Sequence, residues 1–272
     1  MPAPVTAGWP VRNRLLAALP GAELEQLLMR LEPIRLKPGE VLCHAGEPIR
    51  YVCFPDQGLV SLVATMMNGT TVETGMVGCE GMIGVPVFLG ADSAPYRAIV
   101  QIGGQAWRLR ADAFRFELRR SSELQKRLML YTQALMTQMA QMAACNCLHT
   151  VEERLSCLLL LIDDRIEDGA FCLTHEIIAE MMGTRRAGIT VAAGKLRQSG
   201  VINYVRGHIR IRNRQSLELS ACECYQIIKG EFDRLLQGPP ATPLHLAQAT
   251  AGWNGSGFRN GLNKGRESVR TP

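Results

Sequence analysis

The chain has 272 residues and a mass of 29.9 kDa, is 47% hydrophobic and 20% charged, and so has the composition of an ordinary globular protein with room for about two domains. Thirty Lys and Arg against 25 Asp and Glu leave a net charge of +5. Nine cysteines, an odd number mostly in apolar surroundings, and no basic-then-apolar leader point to a cytoplasmic, reducing location and against a secreted disulfide framework. Residues 128–151 carry no charge, but eight of these 24 are polar, too many for a membrane span. Collagen, wholesale disorder and an integral membrane protein are excluded.

Residues 1–12 are rich in Pro and Ala without a period and read as a disordered start. Over 13–31 the leucines at helical spacing, broken by Pro20-Gly21, predict two short helices. From 33 to 107 short apolar runs alternate with turn signals roughly every ten residues, the pattern of an antiparallel β domain. Asn68-Gly69, between Leu62-Val63-Ala64 and Val72-Glu73-Thr74, predicts a type I′ hairpin. The β domain is placed at 13–110.

After Arg110 the period becomes helical. Steps of four and three from Leu124 reach Leu128, Tyr131, Leu135, Gln138, Met142 and Cys145, with Met139 beside the miss at Gln138, a seam about three heptads long. Such a helix is too apolar to stand alone in water. It is either buried against its own β domain or packed both there and on a twin across a two-fold axis. The second arrangement is expected, with Leu124, Leu128, Tyr131, Leu135, Met139 and Met142 at the interface and 111–150 as a dimerisation helix. A further amphipathic helix is predicted over 151–168.

The informative chemistry lies near the carboxyl end. Thr174 can cap a helix over 175–182, and Gly183 breaks it as a tight helix–turn–helix requires. Thr184 can cap a second helix over 185–198, closed by Gly200. Ile178, Ala179 and Met182 of the first and Ile189, Ala193 and Leu196 of the second face inward. Two period-two runs, 201–205 and 208–212, flank Arg206-Gly207 as a β-hairpin wing. Between residues 183 and 217 stand eight Lys and Arg (185, 186, 195, 197, 206, 210, 212, 214) and no Asp or Glu, whereas the rest of the chain holds 22 basic residues against 25 acidic. Positive charge concentrated on one helix and hairpin suits phosphate neutralisation. Residues 151–236 thus read as a DNA-binding domain, and 237–272 as a disordered basic tail.

The stretch LTHEIIAEMMGTRRAGITVAAGKLRQSGVI followed by RGHIRI resembles the helix–turn–helix of the Crp/Fnr family of bacterial transcription regulators, and the order of elements over about 13–236 resembles it too. The resemblance implies an α+β chain: an N-terminal antiparallel β-roll like a cyclic-nucleotide-binding jelly roll, a long dimerisation helix, and a C-terminal winged helix–turn–helix. It implies a homodimer that inserts helix 185–198 into the major groove of a palindromic operator, with double-stranded DNA and RNA polymerase as partners. Arg186 matches the family's guanine-reading arginine. Arg185 and Thr190, with Thr184, stand where base or phosphate contact is expected, and Lys195, Arg197, Arg206 and Arg210 suit phosphates. Ala187 replaces a glutamate and Val191 an arginine common in the family, so the operator differs from that of the catabolite activator.

The sensor half departs from the family. Where cyclic-nucleotide binders carry Gly-Glu-Leu and then Arg-Ser, this chain reads Gly84-Val85-Pro86 and Tyr96-Arg97-Ala98. Cyclic AMP is therefore not the expected effector, and the effector stays unidentified. The first cysteine is Cys43, already inside the β domain, so the family's iron–sulfur cluster is not expected either. Cys145-Asn-Cys147 and Cys222-Glu-Cys224 are suspicious pairs, but on a helix i and i+2 point about 200° apart, so neither pair chelates from one face. They read as buried structural thiols, and no cofactor or metal is expected. An enzyme of the cupin kind would need clustered histidines, and residues 33–110 hold only His44. A ligand-sensing protein acting through protein contacts of its β-roll is the other reading; the charge count favours DNA.

Overall fold

The computed structural model describes residues 11–166 and 169–236; the expected tail at 237–272 and the start up to residue 10 lie outside them. Two short helices open the described chain, α1 (Arg14–Ala17) and α2 (Gly21–Leu28). Asn13 caps α1, accepting from the amides of Leu15 and Leu16, while its own side-chain amide donates to the carbonyls of Pro55 and Gly81. Arg12 belongs by composition to the loose start, yet its backbone N–H reaches the Asp56 carboxylate at 3.1 Å.

Seven strands form the roll: β1 (Glu32–Leu36), β2 (Val41–Cys43), β3 (Tyr51–Pro55), β4 (Leu59–Thr65), β5 (Thr71–Val77), β6 (Arg97–Ile102) and β7 (Gly104–Arg110), with the short helix α3 (Val85–Phe88) between β5 and β6. They pair antiparallel in two sheets, β1-β7-β3 and β2-β6-β4-β5. Alternation along the strands sends Val60, Leu62, Val100, Trp107 and Leu109 into the core. The β4–β5 hairpin exists, but its turn differs from the expected type I′. Met66 N–H donates to Thr70 O, Gly69 alone is left-handed, and the loop is the three residues 67–69. Three-residue loops place glycine at the final, left-handed position, and Asn68 then needs no positive φ.

The expected single helix over 111–150 is two, α4 (Ala111–Leu118) and the 27-residue α5 (Ser122–Leu148), separated where Ser121 caps the second by accepting from Leu124 N. Leu124, Leu128, Tyr131 and Leu135 do line one face of α5, but that face is buried within the chain. The Tyr131 hydroxyl donates to Met82 O of the roll, and the Gln138 amide donates to Met76 O at 2.9 Å. Assigning those four to a dimer interface is thus corrected: neighbouring elements of the same chain, α10 (Cys224–Leu236) and β5 among them, already bury them. Met139 and Met142 are half-buried at the edge of the same face. The outward face is a second stripe, Lys126, Met129, Gln133, Met136, Ala140, Ala143 and Cys147, all exposed and again spaced by threes and fours.

Helix α6 (Val151–Asp163) starts with a capping box between Thr150 and Glu153 and ends five residues before the expected 168. Every residue from Leu155 to Ile162 is buried, not just one stripe, because the helix is surrounded. The winged module follows as β8 (Ala170–Cys172), α7 (His175–Met181), α8 (Arg186–Gln198), β9 (Ile202–Val205), β10 (His208–Ile211) and α9 (Arg214–Ser220); α10 (Cys224–Leu236) then packs along α5. The wing is a three-stranded antiparallel sheet, β8-β10-β9. Its two-residue turn, Arg206-Gly207, has φ of +49° and +84°, so the mirror-image turn expected at 68–69 is found here. A Cβ on Gly183 (φ +58°) would lie 3.0 Å from Val72 of β5; the turn of the helix–turn–helix sits against the β4–β5 hairpin.

Candidate nucleic-acid interface

Helix α8 is held by Ile189, Ala192, Ala193 and Leu196, all buried, and presents Arg186, Ala187, Thr190, Val191, Lys195 and Arg197 to solvent. Ala193 is in the core as its spacing predicts, and Ala192 is buried beside it. Thr184 does not cap α8. Arg185 occupies the N-cap in extended conformation without a side-chain cap, so the first-turn N–H groups have no capping oxygen from it. Thr174 does cap α7, accepting from Ile177 N at 3.3 Å.

Between α8 and the wing runs a cleft lined by His175, Arg186, Thr190, Arg197, Tyr204 and Arg206. The Thr190 hydroxyl lies 3.0 Å from His175 Nδ1, and the His175 ring meets Tyr204 edge-on at 4.5 Å. Tyr204 in turn donates to Leu173 O at 2.8 Å, just before the cap of α7, fixing the wing on the segment that enters the first helix of the motif. Burial, seconded by the Arg186 charge, lowers the His175 pKa, which favours neutral imidazole. Burial pushes the Tyr204 hydroxyl up to about 12, so it remains a phenol.

Arg186, Thr190, Arg197 and Arg206 are therefore brought together, whereas Lys195 is not. It lies on the side of α8 facing α6, where Nζ is 2.8 Å from Glu152 Oε2. Arg186 has an acidic neighbour too, Glu176 of α7 at 3.6 Å. The linear stretch free of acids thus acquires carboxylates from elsewhere in the chain: Glu176 at Arg186, Glu152 at Lys195, and Asp163 and Asp164 at Arg214. Arg185, Arg197, Arg206 and Arg210 are exposed and form no ion pair among the described residues.

In the roll, Gly84 (φ +97°) caps α3 and Val85, where the resemblance expects the glutamate of Gly-Glu-Leu, points into the core. Arg97 is half-buried, its Nε without a hydrogen-bond partner. The cysteines need a correction as well. Cys222 and Cys224 straddle the entry to α10 rather than sharing one helix, and Cys145, His149, Cys222 and Cys224 converge so that their donor atoms all lie within 4.8 Å of one another. The sequence signal that points there is Cys145 and His149 at i and i+4, one face of a helix.

Residues 33–121 match the cyclic nucleotide-binding domain and residues 153–219 the Crp-like helix-turn-helix domain. No curated protein matches the chain. Among solved structures it is similar to FixK2 from Bradyrhizobium japonicum (17% identity, TM-score 0.62, 71% of this chain and 98% of that one). It is similar also to TTHB099, a transcriptional regulator of the CRP family from Thermus thermophilus (18%, TM-score 0.58, 69% and 96%). A third is CLP of Xanthomonas campestris, described as a c-di-GMP responsive global regulator (14%, TM-score 0.54, 71% and 99%). At these identities the likeness is one of fold. The two domain models together span more than half of the chain, in the order roll and then helix–turn–helix, and the chain belongs to the Crp/Fnr family of transcription regulators.

Proposed function

We propose that the protein acts in the cytoplasm as a homodimer that reads a palindromic operator, with 13–110 as sensor, 111–150 as connector and dimerisation segment, and 151–236 as reader. The observation that carries the proposal is the exposed surface of α8 continued by Arg197, Arg206 and the wing. Arg186 enters the major groove and reads a guanine through both of its terminal nitrogens. Its exposed pairing with Glu176 is worth little and yields to that contact. Arg185, Arg197, Arg206 and Arg210 hold phosphates, and the uncapped start of α8 adds backbone donors for one more. Thr190 contributes a hydroxyl beside them, and Thr184, half-buried in the turn, supports the approach of the helix.

Lys195 reaches phosphate only by leaving Glu152, an exposed pair worth at most about 1 kcal/mol. The dimer uses the outward stripe of α5, centred on Met129, Met136, Ala140 and Ala143, which supplies apolar groups at heptad spacing on the face the roll leaves open. Val85 and Pro86 supply no carboxylate for a ribose, so the effector is a molecule other than cyclic AMP held in the family's manner. RNA polymerase is the downstream partner, and the protein is not an enzyme. The proposal is tested by selecting bound DNA from a random pool with purified protein, with and without cell extract. A palindrome with two half-sites about one helical turn apart is expected; a pool that stays random at low salt overturns it.

A further inference from the structure

The thiol cluster at the junction of the long helix and the winged module lies away from the DNA-facing cleft. Cys145 projects from the last turn of α5 and His149 from its C-cap, and Cys222 and Cys224 project from the segment that enters α10. All three cysteines are buried, and the His149 side chain is 16% exposed. Cys145 Sγ lies 3.5 Å from Cys222 Sγ, and Cys224 Sγ lies 3.5 Å from His149 Nδ1.

These separations carry information. Zinc–sulfur bonds of about 2.3 Å and zinc–nitrogen bonds of about 2.0–2.1 Å on a tetrahedron place neighbouring donors roughly 3.4–3.8 Å apart. Both measured edges fall in that range, and no pair among the four exceeds 4.8 Å. An iron–sulfur cluster holds its cysteines much farther apart because the metal atoms and sulfides lie between them. The spacing suits one ion.

The surroundings fit a ligating histidine. With Nδ1 turned to Cys224, the other ring nitrogen, Nε2, is 3.3 Å from Glu223 Oε2. A carboxylate on the far nitrogen fixes the tautomer and makes the near nitrogen a better donor. Gln141 Nε2 donates to Cys224 Sγ at 3.2 Å, a contact that a thiolate accepts more strongly than a thiol. Cys157 of α6 adjoins Cys145 and Cys222 but stands outside the set of four.

We propose that Cys145, His149, Cys222 and Cys224 form a Cys3His site for a single borderline-soft divalent cation, Zn2+, that clamps the end of α5 to the start of α10. Three thiolates and a neutral imidazole fill a tetrahedron, leaving no open position, so the site is structural. Binding releases the thiol protons to solvent. No part of the inference depends on the reading of DNA, and its test uses none.

The test takes full-length protein, reduced and stripped with chelator, and titrates it with Zn2+ and separately with Co2+. One ion per chain is expected, with the intense visible bands of tetrahedral cobalt and thiolate-to-cobalt charge transfer in the near ultraviolet. Zinc should shield three thiols from alkylation and raise the melting temperature. Cys222→Ser and Cys224→Ser should each abolish the charge-transfer pattern of three thiolates, Glu223→Gln should weaken zinc binding about 10–100-fold, and Cys147→Ser, Cys172→Ser and Cys157→Ser should leave it intact. If the ligand variants do not fold, the wild-type cobalt spectrum and thiol shielding still decide. Iron in place of zinc, a pale octahedral cobalt spectrum, no stoichiometric binding, loss on Cys157→Ser, or a Cys145–Cys222 disulfide in a metal-free protein each overturns the proposal.

Discussion

Arg165 Nε lies 2.9 Å from Glu80 Oε1, with both side chains at most 5% exposed. The pair ties the loop after β5 to the end of α6, and the same guanidinium donates to Leu161 O at 2.7 Å and lies over the Phe232 ring of α10. Glu80 Oε1 also accepts from Gly78 N. A buried pair of this kind contributes little net stability against an apolar isostere, but breaking it strands a charge.

Glu80→Gln should therefore destabilise the protein by about 3–5 kcal/mol, read from the urea midpoint. The double replacement Glu80→Leu with Arg165→Met should recover much of that loss. A Glu80→Gln protein as stable as wild type would show that the two charges are not desolvated together.

Glu73 is buried in β5, with one carboxylate oxygen bonded to the Ser61 hydroxyl and the other without a partner. Burial raises its pKa from 4.5 to about 8, opposed by the Ser61 bond and the Arg165 charge. The unfolded carboxyl ionises near its ordinary value and the folded one near 8, so between them the unfolded chain binds fewer protons. Stability should fall as pH rises through that window and level off above it. Glu73→Gln should remove the fall and stabilise the protein at pH 8 by on the order of a few kcal/mol. Thermal melts of both proteins at pH 5 to 9 check this; parallel curves refute the assignment to Glu73.

Arg186→Ala should cost about 1–3 kcal/mol on the selected operator and relax preference at one base pair of each half-site. Arg206→Ala should instead weaken binding to all sequences and lower the salt slope by about 1 per chain. Titrations of operator and single-substituted duplexes at several salt concentrations separate the two. Equal loss of sequence preference in both variants contradicts the roles given to them.

Met136 is 62% exposed on the outward stripe of α5, so a charge there costs nothing in a monomer and is buried beside its twin in a dimer. Met136→Glu should weaken dimerisation more than about tenfold, or about 1.4 kcal/mol, by analytical ultracentrifugation. Ala140→Cys should cross-link two chains on mild oxidation. Wild-type protein that sediments as a monomer, or a Met136→Glu dimer of unchanged affinity, rules out this stripe.

Whatever rests on neighbours along the chain was legible in the amino acids. The period-two runs and turn glycines specified the roll and wing, and Thr174, Gly183 and the apolar spacing specified the helix–turn–helix, because a residue's φ/ψ and its face are set locally. The positions of Ile178, Ile189 and Leu196 in the core followed from the same spacing. Packing settled which of two heptad stripes on α5 the rest of the chain covers: both have the period, and burial depends on what arrives from elsewhere. It likewise delivered Glu152 and Glu176 to a stretch of chain without acids, and brought Cys145 and His149 to Cys222 and Cys224, some 75 residues away in the chain, as one cluster that leaves Cys147 out. Local spacing fixes directions from an axis; proximity between axes comes only when the elements assemble.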